Sequence, residues 1–164
     1  MIKLKFILLI LISLIIFPEK QIEGKYIDHF GQSIEFLPNS KYKFYYQFDL
    51  AASWSNGEWK ITNDTIYLKY VPVMDTLELR DSEKKFVKDS LVLSMDSEIN
   101  RIDIEEYAIS SLSAYGQNKI IPPKKLILMN GKLYRIKEDG SIETEKRKQF
   151  WTQKNKKTFF YKVD

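Results

Sequence analysis

The clearest pattern in the chain is an alternation of aromatic and polar side chains from Lys41 to Asp49. Aromatic residues occupy the even positions, and polar residues occupy the odd positions with the exception of Tyr45. Successive side chains of a β-strand point to opposite faces, so this alternation predicts a strand with an aromatic inner face and a solvated outer face. The inward set consists of Tyr42, Phe44, Tyr46 and Phe48.

Similar short segments, separated by turn residues, follow one another from residue 24 onward. Two strands are predicted on either side of Gly31, and the turn Ser55-Asn56-Gly57 is predicted to lead into a strand from Glu58 to Thr62. Further strands are predicted at residues 65–71, 76–79, 90–95, 125–129, 132–137, 141–144, 149–153 and 158–163. About eight to ten short strands joined by turns indicate an all-β fold, either a barrel or a sandwich.

Two local signals refine this picture. Apolar residues between Ile99 and Ser113 do not alternate, and we expect a short helix there. Asn130-Gly131 separates two apolar segments, and this dipeptide supplies the positive φ values of a type I′ turn. The sequence therefore predicts a β-hairpin centred on this dipeptide.

A set of short motifs in the first half of the β region resembles a known family. The motifs are Gly24-Lys25-Tyr26, Ile34-Glu35-Phe36, Tyr42-Lys43-Phe44, Gly57-Glu58-Trp59-Lys60-Ile61 and Asp64-Thr65-Ile66-Tyr67-Leu68. They look like those of the small exported lipocalin-like proteins of Bacteroidota, in which a glycine and a tryptophan begin a strand. The resemblance covers residues 24–70 and implies an antiparallel up-and-down β-barrel. Family members often carry a cysteine for lipid attachment, whereas this chain has none.

The first twenty residues have the composition of an export segment. Lys3 and Lys5 precede an apolar run from Phe6 to Phe17, which Pro18 ends. A basic head before an apolar stretch of about 7–15 residues is typical of signal peptides, and a run of this length is short for a bilayer core about 30 Å thick. We therefore expect residues 1–20 to direct export to the periplasm or the cell exterior, ahead of a single domain at 24–164. If the segment is not cleaved, it is expected to tether the protein to the membrane.

Charge is distributed unevenly along the chain. Residues 75–106 carry ten acidic and five basic side chains, whereas residues 119–164 carry thirteen basic and five acidic ones. Two solvated faces of opposite charge account for this distribution. The alternative is a basic face for an anionic partner such as lipid headgroups or acidic glycans.

The sequence offers little support for catalysis or metal binding. His29 is the only histidine, and the serines at 110, 111 and 113 lack the glycines of a nucleophile elbow. The acidic run from Asp96 begins like a calcium loop, but Arg101 and Tyr107 stand where glycine and glutamate are required. We therefore predict no catalytic residues, no metal site, no cofactor and no enzyme activity.

The run Lys146-Arg147-Lys148, followed by Phe150 and Trp151, combines charge with aromatic rings. This combination is also used to grip single-stranded nucleic acid. Export argues against such a partner, and the sequence favours a basic rim at the edge of the fold, with no nucleic acid bound.

The aromatic strand supplies the best candidate binding residues. Tyr42, Phe44, Tyr46 and Phe48, together with Trp59, are predicted either to line a ligand cavity or to fill a packed core. The expected function is an envelope protein that carries or senses a small apolar or amphipathic molecule. The alternative is a protein-binding module, such as an inhibitor or immunity-type protein, that acts on another envelope protein through a loop or edge strand.

Overall fold

The structure is a computed structural model that describes residues 22–117 and 120–163. The predicted export segment, residues 1–20, lies outside the described residues. Among the residues that are described, no helix is both long and apolar enough to cross a membrane.

The described residues form fourteen strands and one short helix. In chain order these are β1 (Gly24–Ile27), β2 (Gln32–Leu37), β3 (Lys41–Phe48), β4 (Ala51–Thr62), β5 (Thr65–Tyr70), β6 (Met74–Arg80), β7 (Phe86–Leu93), β8 (Arg101–Ile102), α1 (Ile104–Ser111), β9 (Tyr115–Gln117), β10 (Lys125–Met129), β11 (Lys132–Arg135), β12 (Lys146–Lys148), β13 (Asn155–Lys157) and β14 (Phe160–Val163).

Eight of these strands close into an antiparallel barrel. Each barrel strand pairs with the next in the chain, in the order β1, β2, β3, β4, β5, β10, β11 and β14, and β14 pairs back with β1. The predicted all-β, up-and-down barrel is therefore confirmed. The Asn130-Gly131 hairpin is confirmed as well, because both residues have positive φ and join β10 to β11.

The barrel interior is packed with apolar side chains over most of its length. Trp59 meets Phe36 edge-to-face at 5.4 Å, and Phe36 meets Tyr26 in the same way at 5.9 Å. The fully buried set also contains Ile34, Tyr42, Phe44, Ile66, Leu126, Leu133 and Phe160. Bulky residues of β3 face small ones of β4, because Phe44 pairs with Ser55 and Tyr42 with Gly57.

The predicted turn at Ser55-Asn56-Gly57 is wrong. β4 runs through these residues without interruption, and the β3–β4 turn lies at Asp49, which has a positive φ of 52°. Gly57 is needed for space, since a Cβ there would lie 2.5 Å from the Tyr42 ring and 2.2 Å from the Lys69 carbonyl oxygen. The sequence does not show whether a glycine is present to allow a turn or to leave space for a neighbouring ring, and Gly57 does the latter.

An insertion between β5 and β10 forms a small module beside the barrel. It contains the sheet β7-β6-β8, the helix α1, and β9, which pairs in parallel with β4. The short helix predicted within residues 99–113 is confirmed, and Asp103 begins it with a capping box. The Trp54 indole donates a hydrogen bond to the Met95 carbonyl at 2.9 Å, which ties the module to the outer face of the barrel.

A second excursion, between β11 and β14, forms the hairpin β12–β13. The strand predicted at residues 149–153 is wrong, because Gln149 to Gln153 form the turn of this hairpin. The strand predicted at residues 141–144 is reduced to a single bridge between Ile136 and Ile142. The aromatic residues of this turn are also common in strands, so their residue types do not distinguish a hairpin turn from a strand.

Candidate functional site

A cavity lies at one end of the barrel, called here the mouth. The β1–β2 and β3–β4 turns, the end of β11 and the residues before β14 meet at this end, and the β12–β13 hairpin lies against it. The cavity measures about 490 Å³, a size typical of small-molecule sites. Its lining includes Asp28, Gln32, Tyr46, Phe48, Ile120, Arg135, Arg147, Phe150, Trp151 and Thr158.

A buried carboxylate lies in the inner wall of the cavity. Asp28 follows β1, and one of its oxygens accepts hydrogen bonds from the backbone amides of Phe30 and Gln32 at 2.7 and 2.9 Å. Its other oxygen pairs with the Arg135 guanidinium at 3.0 Å. The Asp28 side chain is 1% exposed, so its charge depends on these partners for compensation.

Arg135 is the second charged residue of this inner wall, and the two residues with their hydrogen-bond partners are called here the polar floor. Its guanidinium donates to the Gln32 side-chain oxygen at 2.6 Å and to the Thr158 carbonyl, and it stacks at 4.3 Å over the buried ring of Phe160. These contacts join β11, the β1–β2 turn and the segment before β14. The mouth therefore has a rigid hydrogen-bonded floor in place of the apolar packing below it.

The outer part of the cavity is aromatic. Phe48 of β3 meets Phe150 edge-to-face at 5.3 Å and lies nearly parallel to Trp151 at 6.1 Å. The hairpin that carries Phe150 and Trp151 is fixed by Gln149, whose side chain donates to the His29 carbonyl at 2.7 Å. Polar groups below and aromatic rings above give the cavity two chemically different ends.

The structure places the five predicted binding residues in two groups. Tyr46 and Phe48 line the cavity, with Tyr46 half-buried and Phe48 37% exposed. Tyr42, Phe44 and Trp59 belong to the packed core and do not line this cavity. A single aromatic strand thus contributes both to the core and to the cavity.

The other cavity residues were not identified from sequence. Asp28 and Arg135 are 107 positions apart, and nothing local to either residue indicates that they pair. The basic and aromatic residues at 146–151 form a local cluster in the sequence, which predicts a basic rim but not its contact with Phe48. Their position over the mouth follows from the pairing of β14 with β1. A local sequence pattern does not predict this long-range pairing.

Three buried hydroxyls within the barrel wall lack hydrogen-bond partners among the described residues. They belong to Tyr42, Ser53 and Ser55. Burial, with a smaller contribution from the nearby Tyr70, raises the pKa of the Tyr42 phenol to about 12. Tyr42 is therefore uncharged at neutral pH and acts as a bulky core residue.

The residues considered for catalysis have ordinary structural contacts. The His29 ring packs on Tyr161 at 5.3 Å, whereas the hydroxyls of Ser110 and Ser111 donate to backbone carbonyls within α1. Across the part of the chain that the structure describes, no group of three or more His, Cys, Asp or Glu residues is arranged to hold a metal ion. The absence of enzyme activity and of cofactors stays a prediction.

Comparison with known proteins gives no relative from which a role can be transferred. No protein-family model, no curated protein sequence and no solved structure matches this chain. The candidate site therefore rests on its own geometry.

Proposed function

We propose that this protein is an exported binding protein of the bacterial envelope that holds one small amphipathic molecule at the mouth of its barrel. The observation that carries the proposal is the cavity of about 490 Å³, which joins a buried polar floor to an aromatic outer wall. Ligand sites are usually apolar cavities with a few fixed polar groups, and this cavity has that composition. Export rests on the basic and apolar pattern of residues 1–20.

The arrangement of the cavity indicates how such a ligand lies. The inner wall offers the Gln32 amide and the Arg135 guanidinium, which is 17% exposed, to a polar group. The aromatic wall of Phe48, Phe150 and Trp151 offers apolar area to the rest of the molecule. A molecule with one polar end and a short apolar body satisfies both, whereas a fully apolar one displaces water from the exposed part of Arg135 without replacing its hydrogen bonds.

Titration of the purified protein with a fluorescent fatty-acid analogue tests the proposal. We expect saturable binding with one probe per chain, and weaker binding by Phe150→Ala, whose ring lines the cavity. Phe86→Ala is the matched control, because Phe86 has a similar exposure of 56% against 61% but lies on β7 away from the cavity. Absence of saturable binding, or equal weakening by both variants, would refute a carrier role for this cavity.

A second candidate function, protein binding, is favoured by the inserted module. β7 is an edge strand of its sheet, and Phe86, Val87 and Leu91 on it are more than half exposed. An exposed apolar edge strand is a template for pairing with another chain. Native mass spectrometry of the protein purified from its own host separates the two functions. A retained small molecule supports the carrier, whereas a retained protein that is lost in Leu91→Lys supports the protein-binding module.

A further inference from the structure

The apolar side chains at the mouth continue outward beyond the cavity. Phe150 and Trp151 at the tip of the β12–β13 hairpin are 61% and 69% exposed. Leu50, in the adjacent β3–β4 turn, is 90% exposed. Phe48, which contacts both aromatic rings of the tip, links the hairpin to this turn. Phe48, Leu50, Phe150 and Trp151 therefore all lie at the mouth, and they are called here the apolar tip.

The hairpin that carries Phe150 and Trp151 is rich in positive charge, and one exposed acidic residue, Asp49, lies next to Leu50 in the β3–β4 turn. Residues 146–157 contain six lysines or arginines and no acidic residue. Five of the six are exposed, and within the described chain only Arg147 makes an ion pair, with Glu143. The hairpin thus combines two exposed aromatic rings with exposed cations, and an anionic membrane surface offers an apolar boundary to the rings and charged headgroups to the cations.

The alternative anionic partner, single-stranded nucleic acid, fits this tip less well. Nucleic-acid sites use aromatic faces on which bases stack, and their grooves follow the backbone. Here the most exposed member of the tip is Leu50, which has no aromatic face. A highly exposed aliphatic side chain gains free energy by entering a lipid interface, because its apolar area leaves water.

We propose that the mouth of the barrel docks on an anionic lipid surface. Leu50, Phe150 and Trp151 enter the boundary between headgroups and acyl chains, and the lysines of the β12–β13 hairpin contact the headgroups. Docking in this orientation places the mouth cavity against the membrane. The proposal goes beyond ligand binding by the cavity and stands whether or not the cavity holds a ligand.

Tryptophan fluorescence of the full chain tests this docking. Trp151 is the exposed tryptophan of the three, since Trp54 and Trp59 are each 3% exposed. With vesicles of equal parts phosphatidylglycerol and phosphatidylcholine, we expect a blue shift of Trp151 emission and quenching by brominated acyl chains. Vesicles of phosphatidylcholine alone are expected to give neither. Residues 1–21 are present in every variant, so any vesicle association through them is common to all samples.

Matched variants separate charge from apolar insertion without altering the cavity. Replacing Lys146, Lys154 and Lys157 with Gln is expected to weaken binding to the anionic vesicles by roughly a hundredfold, because each cation near such a surface contributes about fivefold. The same change at Lys84, Lys85 and Lys88, which are exposed on the inserted module, is the control.

For the apolar contribution, Leu50→Ser is expected to weaken vesicle binding by about tenfold. Leu112→Ser is the control, since Leu112 is 87% exposed on the inserted module. Equal effects of the test and control variants would overturn the proposal, as would an unchanged Trp151 emission. A Trp151 response to single-stranded DNA but not to vesicles would also overturn it and would indicate a nucleic-acid partner.

Discussion

The two ends of the barrel interior are built from the same strands but differ in their chemistry. At the end opposite the mouth, called here the closed end, Trp59 and Phe36 pack edge-to-face and are almost fully buried. At the mouth, the Asp28–Arg135 ion pair replaces apolar packing, and the aromatic residues above it are exposed. The comparison shows that β3 contributes to both regions. Its first aromatic residues, Tyr42 and Phe44, belong to the core, whereas its last ones, Tyr46 and Phe48, line the cavity.

The largest effect is expected at the closed end. Trp59 is 3% exposed, and its indole nitrogen donates to the Lys41 carbonyl at 3.0 Å. Trp59→Ala removes this bond and leaves a cavity, so we expect the free energy of unfolding to fall by about 3–5 kcal/mol. Denaturant unfolding measures the change, and a loss below about 1 kcal/mol would contradict the assignment of Trp59 to the core.

Breaking the Asp28–Arg135 ion pair at the mouth is expected to lower the free energy of unfolding by a similar amount. Asp28→Ala leaves the Arg135 charge partly buried without its partner, at an expected cost of about 3 kcal/mol or slightly more. Replacing the pair together, as Asp28→Ala with Arg135→Met, is expected to restore part of this loss. A double-mutant cycle in denaturant measures the coupling, and additive losses would show that the two residues do not depend on each other.

An intermediate effect is expected at Tyr46, which lies between the two ends. Its side chain is half-buried, packs against the core and also lines the cavity, so truncation removes part of a core contact and part of a cavity wall. Tyr46→Ala is expected to cost about 1–2 kcal/mol, less than a fully buried aromatic residue, and to weaken binding of the fluorescent fatty-acid analogue. Thermal unfolding together with probe titration tests this expectation. A loss as large as that of Trp59→Ala, with probe binding unchanged, would place Tyr46 in the core.

The smallest effect concerns pH. The pKa of the Tyr42 phenol is raised from 10.0 to about 12 in the folded protein, chiefly by burial. Because the folded state holds this proton more tightly than the unfolded state, the stability contribution is complete below pH 10 and is lost as the pH rises towards 12. We expect Tyr42→Phe to lose less stability than the wild type over this interval. Unfolding measured at several alkaline pH values checks the difference, and parallel curves for the two proteins would contradict it.

The barrel could be predicted from sequence because its signals are local. The alternating aromatic residues of β3 and the Asn130-Gly131 turn each determine a strand or hairpin without reference to distant residues. The cavity could be predicted only in part. The β3 pattern places Tyr46 and Phe48 on the inner face but leaves core and cavity open for both, because the position at which core gives way to cavity depends on what lies opposite them.

The remaining site residues depend on long-range closure of the chain. Asp28 and Arg135 meet only because β14 pairs with both β1 and β11. Likewise, Phe150 and Trp151 contact Phe48 because the β12–β13 hairpin packs against the barrel. The orientation of the hairpin depends on contacts with distant residues, such as the hydrogen bond from Gln149 to the His29 carbonyl. Patterns of neighbouring residues do not predict such contacts. Bringing together two residues 107 positions apart also costs loop-closure entropy, which local structural propensities do not reflect.

The central claim is that the packed core below the mouth stabilises the protein and that the mouth binds a ligand. Phe44→Ala and Phe48→Ala test it most directly, because the same change is made at two inward positions of one strand. We expect Phe44→Ala to lower the free energy of unfolding by about 3–5 kcal/mol with probe affinity unchanged. If that variant does not fold, Phe44→Leu replaces it. Phe48→Ala is expected to cost below about 1 kcal/mol and to weaken probe binding severalfold. Equal losses of stability, or probe binding that responds to Phe44 and not to Phe48, would contradict the account.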